Sequence, residues 1–415
     1  MNIRDATQEE LVDWDAWTVE TVGGHVYQSR AWAEHRRASG WTPRFFVGDD
    51  GGRTLALTRR WPVVGGGSAY LPRGPVVGEQ RNALEVSARG PLATRTSRAS
   101  TPMTAAPAGK VVAARQIAVA EALAHEGFDV IAADPEIPAA DAEFSHEIRA
   151  AGFRPIEEIQ PSRHRVSLAL PAGADEPALF EGVAKSTRQR IRGAIDDGLM
   201  VVRHDVRLVG GGAGEGFALP AEPTAAALDR FYDLLLETGE RRQFRFGPRA
   251  GFVAWWLAAH AAGHLVYLEA QLTGSVAAAR AEAADAAQTE ATDVARASAV
   301  AGLVMYRHGG RLSTVHSGDH AAARARHPGA LHLLRWRAIQ LAIREGCTEM
   351  DLGGVDIAGA RREPNEGDPL YGLYQHKRAF GGRWLELSGA HERVFDPRGY
   401  ALGRLAARLT TLVRR

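Results

Sequence analysis

The chain is poor in several things, and each shortage narrows its chemistry. It holds one cysteine, Cys347, in 415 residues. A single thiol closes no internal disulfide and makes no zinc site. Lysine is nearly missing. Lys110, Lys185 and Lys377 are the only three, so 47 of the 50 basic residues are arginine. A lysine in a suggestive place therefore carries more weight than usual. No apolar run approaches the roughly 18–20 residues of a membrane span. Met1-Asn2-Ile3-Arg4-Asp5 has no apolar core of a signal peptide, and a cytoplasmic protein is expected. Charge imbalance is missing too: 50 basic against 49 acidic residues leave +1. That balance disfavours a surface that coats nucleic acid broadly and leaves room for a local basic patch. There is no G-x-x-x-x-G-K-[ST] phosphate loop, no H-E-x-x-H zinc motif and no G-x-S-x-G nucleophile elbow. Gly65-Gly66-Gly67 and Gly210-Gly211-Gly212 do not open a helix after a strand, so they are not dinucleotide fingerprints. NTPases, metalloproteases and α/β-hydrolases are disfavoured.

What is there reads as a globular chain of two or three domains. Residues 8–38 predict two short amphipathic helices around Gly23-Gly24. Residues 44–48 and 53–61 flank an Asp49-Asp50-Gly51-Gly52 turn and predict a hairpin. An extended piece, Ser68–Val77, follows, and residues 87–109 read as a loop. A helix over Val111–Glu126 is closed by Gly127, and a strand over Val130–Ala133 ends at Asp134-Pro135. The second half repeats this order. Strands are expected over Leu265–Leu272 and Leu303–Val315, a helix over Ala330–Glu345 closed by Gly346, and a strand over Glu349–Leu352 ending at Gly353-Gly354. Two copies of one mixed α+β unit follow from this repeat. Residues 179–198 read as a cationic helix and 208–223 as a surface loop. Residues 275–300 are Ala-rich without aromatics, which favours a helical arm between two strands.

Four constellations could carry chemistry. Lys185, Arg188 and Arg192, spaced i, i+3, i+7, line one helical face. Such a face suits pyrophosphate or a nucleic-acid backbone through bidentate guanidinium contacts; it equally suits a solvated surface. In Tyr371–Gly382, Lys377 stands among aromatics before a double glycine. A cation beside a reacting carbonyl stabilises an oxyanion, and an ordinary strand-edge cation fits the same pattern. Asp134 and Asp351 end equivalent strands, where polar residues line ligand crevices or simply cap turns. In His316-Ser317-Gly318-Asp319-His320 a third metal ligand is lacking, so the histidines read as lining a cleft or an ordinary loop.

Taken together and in order, these segments resemble the Fem family of peptidoglycan-bridge aminoacyltransferases. The residues that carry the resemblance are Tyr27-Gln28-Ser29-Arg30-Ala31-Trp32 with Gly40-Trp41, Tyr70 to Val77, Asp134-Pro135-Glu136, Lys185 to Arg192, Pro328 to Gly354, and Leu373 to Phe380. The resemblance spans nearly the whole chain. It implies two acetyltransferase-like (GNAT-type) domains with mixed sheets. The first would cover 1–165 with a return at 389–415, the second 166–388, and 275–300 would be a short helical arm inserted in the second. It also implies an activity: transfer of an amino acid from aminoacyl-tRNA to the stem-peptide amine of a peptidoglycan precursor, lipid II or UDP-MurNAc-pentapeptide, in cell-wall synthesis. No cofactor is implied beyond the aminoacyl-tRNA donor. The arm matches one thought to engage tRNA in several members.

The chemistry fits the missing nucleophile motifs. Aminoacyl-tRNA is already an activated ester, so the enzyme must position a neutral amine and stabilise a tetrahedral oxyanion. By resemblance Lys377 is the oxyanion stabiliser, and Asp134 handles a proton or binds peptide. Arg36 contacts substrate phosphate with help from Arg73, and His316 and Tyr374 line the substrate site. Lys185, Arg188 and Arg192 remain the phosphate or tRNA face. Two departures stand out: His376 replaces the usual phenylalanine before the lysine, and His316 replaces a tyrosine. An acyl-CoA-dependent N-acyltransferase of the same fold, or a non-catalytic binding protein, are the alternatives; the first lacks its R/Q-x-x-G-x-G/A pyrophosphate loop. The stretch Tyr400–Arg415 alternates Leu and Ala with Arg. It suits a terminal packing helix or a peripheral contact with the inner face of the membrane.

Overall fold

The structure is a computed structural model and describes residues 1–76, 108–160, 163–208, 212–242, 246–272, 299–355 and 362–413. The chain divides into two compact units, Met1–Arg163 with Glu386–Arg415, and His164–Leu385. The arm expected over 275–300 lies outside the described residues, except that Ala299 and Val300 open a strand.

The first unit opens with β1 (Ile3–Asp5), β2 (Thr42–Gly48), β3 (Arg53–Arg60), β4 (Gly67–Leu71), β5 (Val130–Ala133) and β6 (Arg154–Pro155). The second unit supplies β7 (His164–Ala169), β8 (Leu199–His204), β9 (Leu265–Leu272), β10 (Ala299–His308), β11 (Arg311–Asp319), β12 (Glu349–Asp351) and β13 (Arg383–Glu386). The chain then returns to the first unit as β14 (His391–Val394) and a helix over Pro397–Val413. The sheets run β1-β2-β3-β4-β5-β14-β6 and β13-β7-β12-β11-β10-β9-β8.

Each sheet contains a parallel step at the same place in the repeat. β4 pairs parallel with β5, and β11 pairs parallel with β12. A parallel pair needs a crossover, and a helix supplies it in both units: Ala108–His125 in the first, Ala330–Arg344 in the second. Both helices end on a glycine in the left-handed region, Gly127 at φ 81° and Gly346 at φ 68°. The residue after each glycine donates its N–H back into the last turn, Phe128 to Leu123 and Cys347 to Ala342. This satisfies carbonyls that a helix end leaves open. The Ala330–Arg344 helix is buried along most of its length, and Leu333, Leu334, Trp336, Ile339 and Leu341 join the core of the second unit. Val112, Val119 and Leu123 do the same in the first.

Three local expectations differ from what forms. The stretch Leu303–Val315 is a hairpin, β10 and β11, that turns at Gly309-Gly310. The cationic segment 179–198 is two helices, Glu176–Gly182 and Lys185–Asp196. They part because Val183 takes an extended backbone and buries its side chain in the core. Lys377 sits in a helix, Tyr371–Arg378, rather than on a strand edge.

Candidate active site

In each unit the two parallel strands part at their carboxyl ends, where open α/β sheets hold ligands. β4 and β5 last pair at Leu71 and Ala133, and the next residue after β5 is Asp134. Its carboxylate is 1% exposed. Tyr70 donates its hydroxyl to both carboxylate oxygens at 2.9 Å, and the Arg73 N–H donates at 2.7 Å. The Arg73 guanidinium lies 3.7 Å away. Arg73 itself has φ 50°, an uncommon backbone for a branched or long side chain. Gln28 supports this turn from below: its amide donates to the Pro72 and Leu55 carbonyls and accepts from the Leu55 N–H.

Burial raises the Asp134 carboxyl to about 6, against the opposing pull of Arg73 and its hydrogen bonds. Burial would lower Arg73, yet Asp134 and then Glu136 hold it above its ordinary value. An acid raised in the folded state adds stability below its ordinary value that is lost as pH rises. The window here runs from about 4 to about 6, and the loss is about 3 kcal/mol at most, at about 1.4 per unit. The fall in denaturant midpoint across that window should therefore flatten in Asp134→Asn. An equal fall in both proteins contradicts this assignment.

Arg36 lies in the same unit, in the last turn of the Arg30–Ala38 helix, and shares a cavity with Tyr70, the donor to Asp134. Its guanidinium stands 5.3 Å from the Trp32 ring and 5.7 Å from the Trp41 ring. No carboxylate pairs with it among the described residues, and its Nε is buried without a hydrogen-bond partner. Burial, then Arg59, lowers its pKa. Arg36 lines a cavity of about 540 Å3 with Trp32, Trp41, Tyr70, Tyr400 and Arg404. A half-buried guanidinium with an unused donor, set among aromatic faces, suits a planar or phosphorylated anion.

In the second unit β11 and β12 last pair at Ser313 and Asp351. Lys377 occupies the parting. Its side chain is 4% exposed, and Nζ donates to the Gly354 carbonyl at 2.8 Å. Gly353 leaves room for it: a Cβ there would stand 3.1 Å from Nζ. Burial, then the Arg335 charge, lowers the Lys377 pKa well below its ordinary value, and Asp351 only partly offsets this. Asp351 also accepts the Gly353 N–H at 2.7 Å. A lysine so placed is biased toward its neutral form, in which the amine has a lone pair to offer.

Arg335 is the residue that sequence reasoning missed. It is fully buried on the Ala330–Arg344 helix and forms no salt bridge among the described residues. Its NH1 donates to the Leu352 carbonyl and its Nε to His376 Nε2, both at 3.2 Å. A guanidinium only donates, so His376 carries its proton on Nδ1 and donates it to His332 Nε2, 3.1 Å away. Burial, then Arg335, pushes His376 down to about 2, and burial pushes His332 down to about 4. Both rings are neutral in the physiological range. The signal was present in the sequence as His376, where resemblance led one to expect phenylalanine.

The remaining candidates also fall in the second unit. Tyr374 lies one turn before Lys377 and donates its hydroxyl to Glu363 at 2.6 Å; burial, then Glu363, raises it to about 12. His316 is half-buried among Phe246, Phe252 and Trp256, with ring centroids 5.6–6.0 Å away. Burial lowers it to about 4. A bulge beside it shifts the β10–β11 register, so that His316 faces Val304 while Thr314 faces Met305. This puts the two side chains on opposite faces of the sheet. His320 is exposed, 3.9 Å from Glu237. On the Lys185–Asp196 helix, Lys185 and Arg192 are exposed. Arg188 is engaged instead, donating to the Val183 and Glu181 carbonyls that end the preceding helix.

Residues 269–408 match the FemAB family. The stretch carries Arg335, Asp351 and Lys377, the residues described above around the second parallel step. The fold agrees along the full length: the crystal structure of FemX is similar with a TM-score of 0.67 at 18% identity, covering 97% of this chain and 99% of that one. The structure of L-PGS from Bacillus licheniformis is more distant, with a TM-score of 0.46 at 11% identity over 100% of this chain and 99% of that one. No curated protein matches the chain. The FemAB stretch thus lies in a two-domain, GNAT-like α+β fold.

Proposed function

We propose that this chain is an aminoacyltransferase that moves an amino acid from aminoacyl-tRNA to the stem-peptide amine of a peptidoglycan precursor. The observation that carries the proposal is Lys377: a buried lysine with a lowered pKa, hydrogen-bonded to Gly354, inside the stretch that matches the FemAB family. The donor is an activated ester, so the reaction needs proton handling and no covalent nucleophile. The acceptor amine attacks the ester carbonyl and a C–N bond forms. Lys377 takes the proton that the attacking nitrogen must shed, and its N–H groups face the developing oxyanion. As the C–O bond to the ribose breaks, Lys377 returns the proton to the leaving hydroxyl. Arg36 binds the phosphate of the acceptor, and Asp134 with Arg73 and Tyr70 shapes the acceptor side of the first unit.

A direct test incubates the protein with UDP-linked muramyl pentapeptide or lipid II and a total pool of charged tRNA. The acceptor should gain the mass of one amino-acid residue. No gain with either acceptor sinks the proposal. Within that assay, Arg36→Ala should raise KM for the acceptor about tenfold or more with kcat nearly kept, since a contact to a phosphate that takes no part in bond making binds ground and transition states alike. A drop in kcat at unchanged KM would remove Arg36 from acceptor binding.

A further inference from the structure

We infer that the Pro397–Val413 helix docks the protein onto an anionic membrane surface. The helix buries one side and leaves the other bare. Gly403 and Tyr400 pack on Trp61, whose Nε1 donates to Asp129 at 2.5 Å. On the outer side Leu402, Leu405 and Leu409, spaced i, i+3, i+7, are 57%, 55% and 54% exposed. Three large apolar side chains on one exposed stripe are not needed to hold the fold. Val63, at the tip of the turn that carries Trp61, adds a fourth at 96% exposure.

The charge pattern selects the occupant. Between Pro397 and Val413 the helix has no acidic residue, while Arg398, Arg404 and Arg408 are all exposed. Leucines flanked only by arginines suit a helix that lies in the headgroup layer of anionic lipid. A second copy of the chain fits less well. The stripe offers a few hundred Å2 at most, short of the roughly 800 Å2 per partner of a stable interface, and it would set arginines against arginines. No helix among the described residues is long and apolar enough to cross a membrane, so the helix lies on the surface. Tyr400 and Arg404 of this same helix line the cavity that holds Arg36. Docking therefore brings that cavity to headgroup level, where the diphosphate of a lipid-linked acceptor lies. This last step rests on the transferase proposal; the docking itself does not.

The test is vesicle sedimentation of the full chain, which needs no transfer activity. Its failure is thus distinct from failure of the transferase proposal. Vesicles of mixed phosphatidylglycerol and phosphatidylcholine should carry the protein down at low salt, and added salt should release it. Pure phosphatidylcholine should bind far less. The triple variant Leu402→Gln, Leu405→Gln, Leu409→Gln should lower partitioning at least about tenfold, with a thermal melt like that of the parent because the leucines are exposed. Arg398→Glu with Arg408→Glu should weaken binding to the anionic vesicles alone. No sedimentation with anionic vesicles at low salt overturns the inference. So does binding that survives both sets of substitutions, or a dimer dispersed by the leucine variant with no vesicle binding.

Discussion

Replacing Lys377 by alanine is expected to lower the transfer rate by about 10²–10⁴-fold, the usual reach of a positioned acid–base group. The fold should survive. The substitution leaves the Gly354 carbonyl without its donor, at a cost of about 1–3 kcal/mol. It also removes a buried amine that no salt bridge compensates among the described residues. Lys377→Arg should not restore the rate, because a guanidinium cannot give up its proton. A pure point charge facing an oxyanion would be partly replaced by arginine, so recovery in that variant would point to charge alone. Single-turnover rates with a melt of each variant separate these outcomes. A Lys377→Ala rate within threefold of the parent would remove Lys377 from the chemistry.

The second large effect concerns Arg335→Met. Arg335 is buried beside Lys377, and its charge is the second cause of the lowered lysine pKa. Burial lowers Arg335 to about 10, so it remains charged at neutral pH. Without it, Lys377 stays protonated to higher pH. The rising limb of the kcat pH profile should then move to higher pH, with a rate about tenfold or more below the parent's on its acid side and recovery toward alkaline pH. Stability should move little, within about 2 kcal/mol. Methionine leaves His376 Nε2 and the Leu352 carbonyl unpaired, but it also ends the burial of an arginine without a salt bridge. A pH profile of kcat that keeps its shape in Arg335→Met contradicts the role assigned to this residue. A merely structural residue would shift the melt and leave that profile in place.

Much of the scaffold around these groups was legible in the chain. The Val130–Ala133 strand formed between the bounds expected for it, because a helix-stopping glycine precedes it and Asp134-Pro135 follows. The Ala330–Arg344 helix was legible for the same reason: a long run with apolar periodicity ends in Gly346. The β10–β11 hairpin was harder. β10 is buried along its whole length, so it shows no alternation, and its turn is marked only by Gly309-Gly310. The break at Val183 was hidden because Lys185 to Arg192 looks continuous with the helix before it.

The site itself was legible in part. Lys377 could be singled out because lysine is so rare in this chain. Asp134 was marked by its place at a strand end, though its burial and its ring of donors depend on Tyr70 and Arg73 more than sixty residues away. The Arg335–His376–His332 chain depends on two helices packing together across about forty residues of sequence. No local pattern reports such a contact. His316 shows the limit from the other side. Simple alternation puts it on the face of Thr314, and a single bulge sends it to the opposite face among three aromatic rings.

Under the proposed function the donor is an amino acid esterified to tRNA. The most direct measurement compares product mass with intact charged tRNA and with the same charged tRNA pretreated with ribonuclease, at fixed acceptor. One added amino-acid residue is expected with intact tRNA and none after ribonuclease. A gain that survives ribonuclease, or one supported by an acyl-CoA in the absence of tRNA, would contradict it.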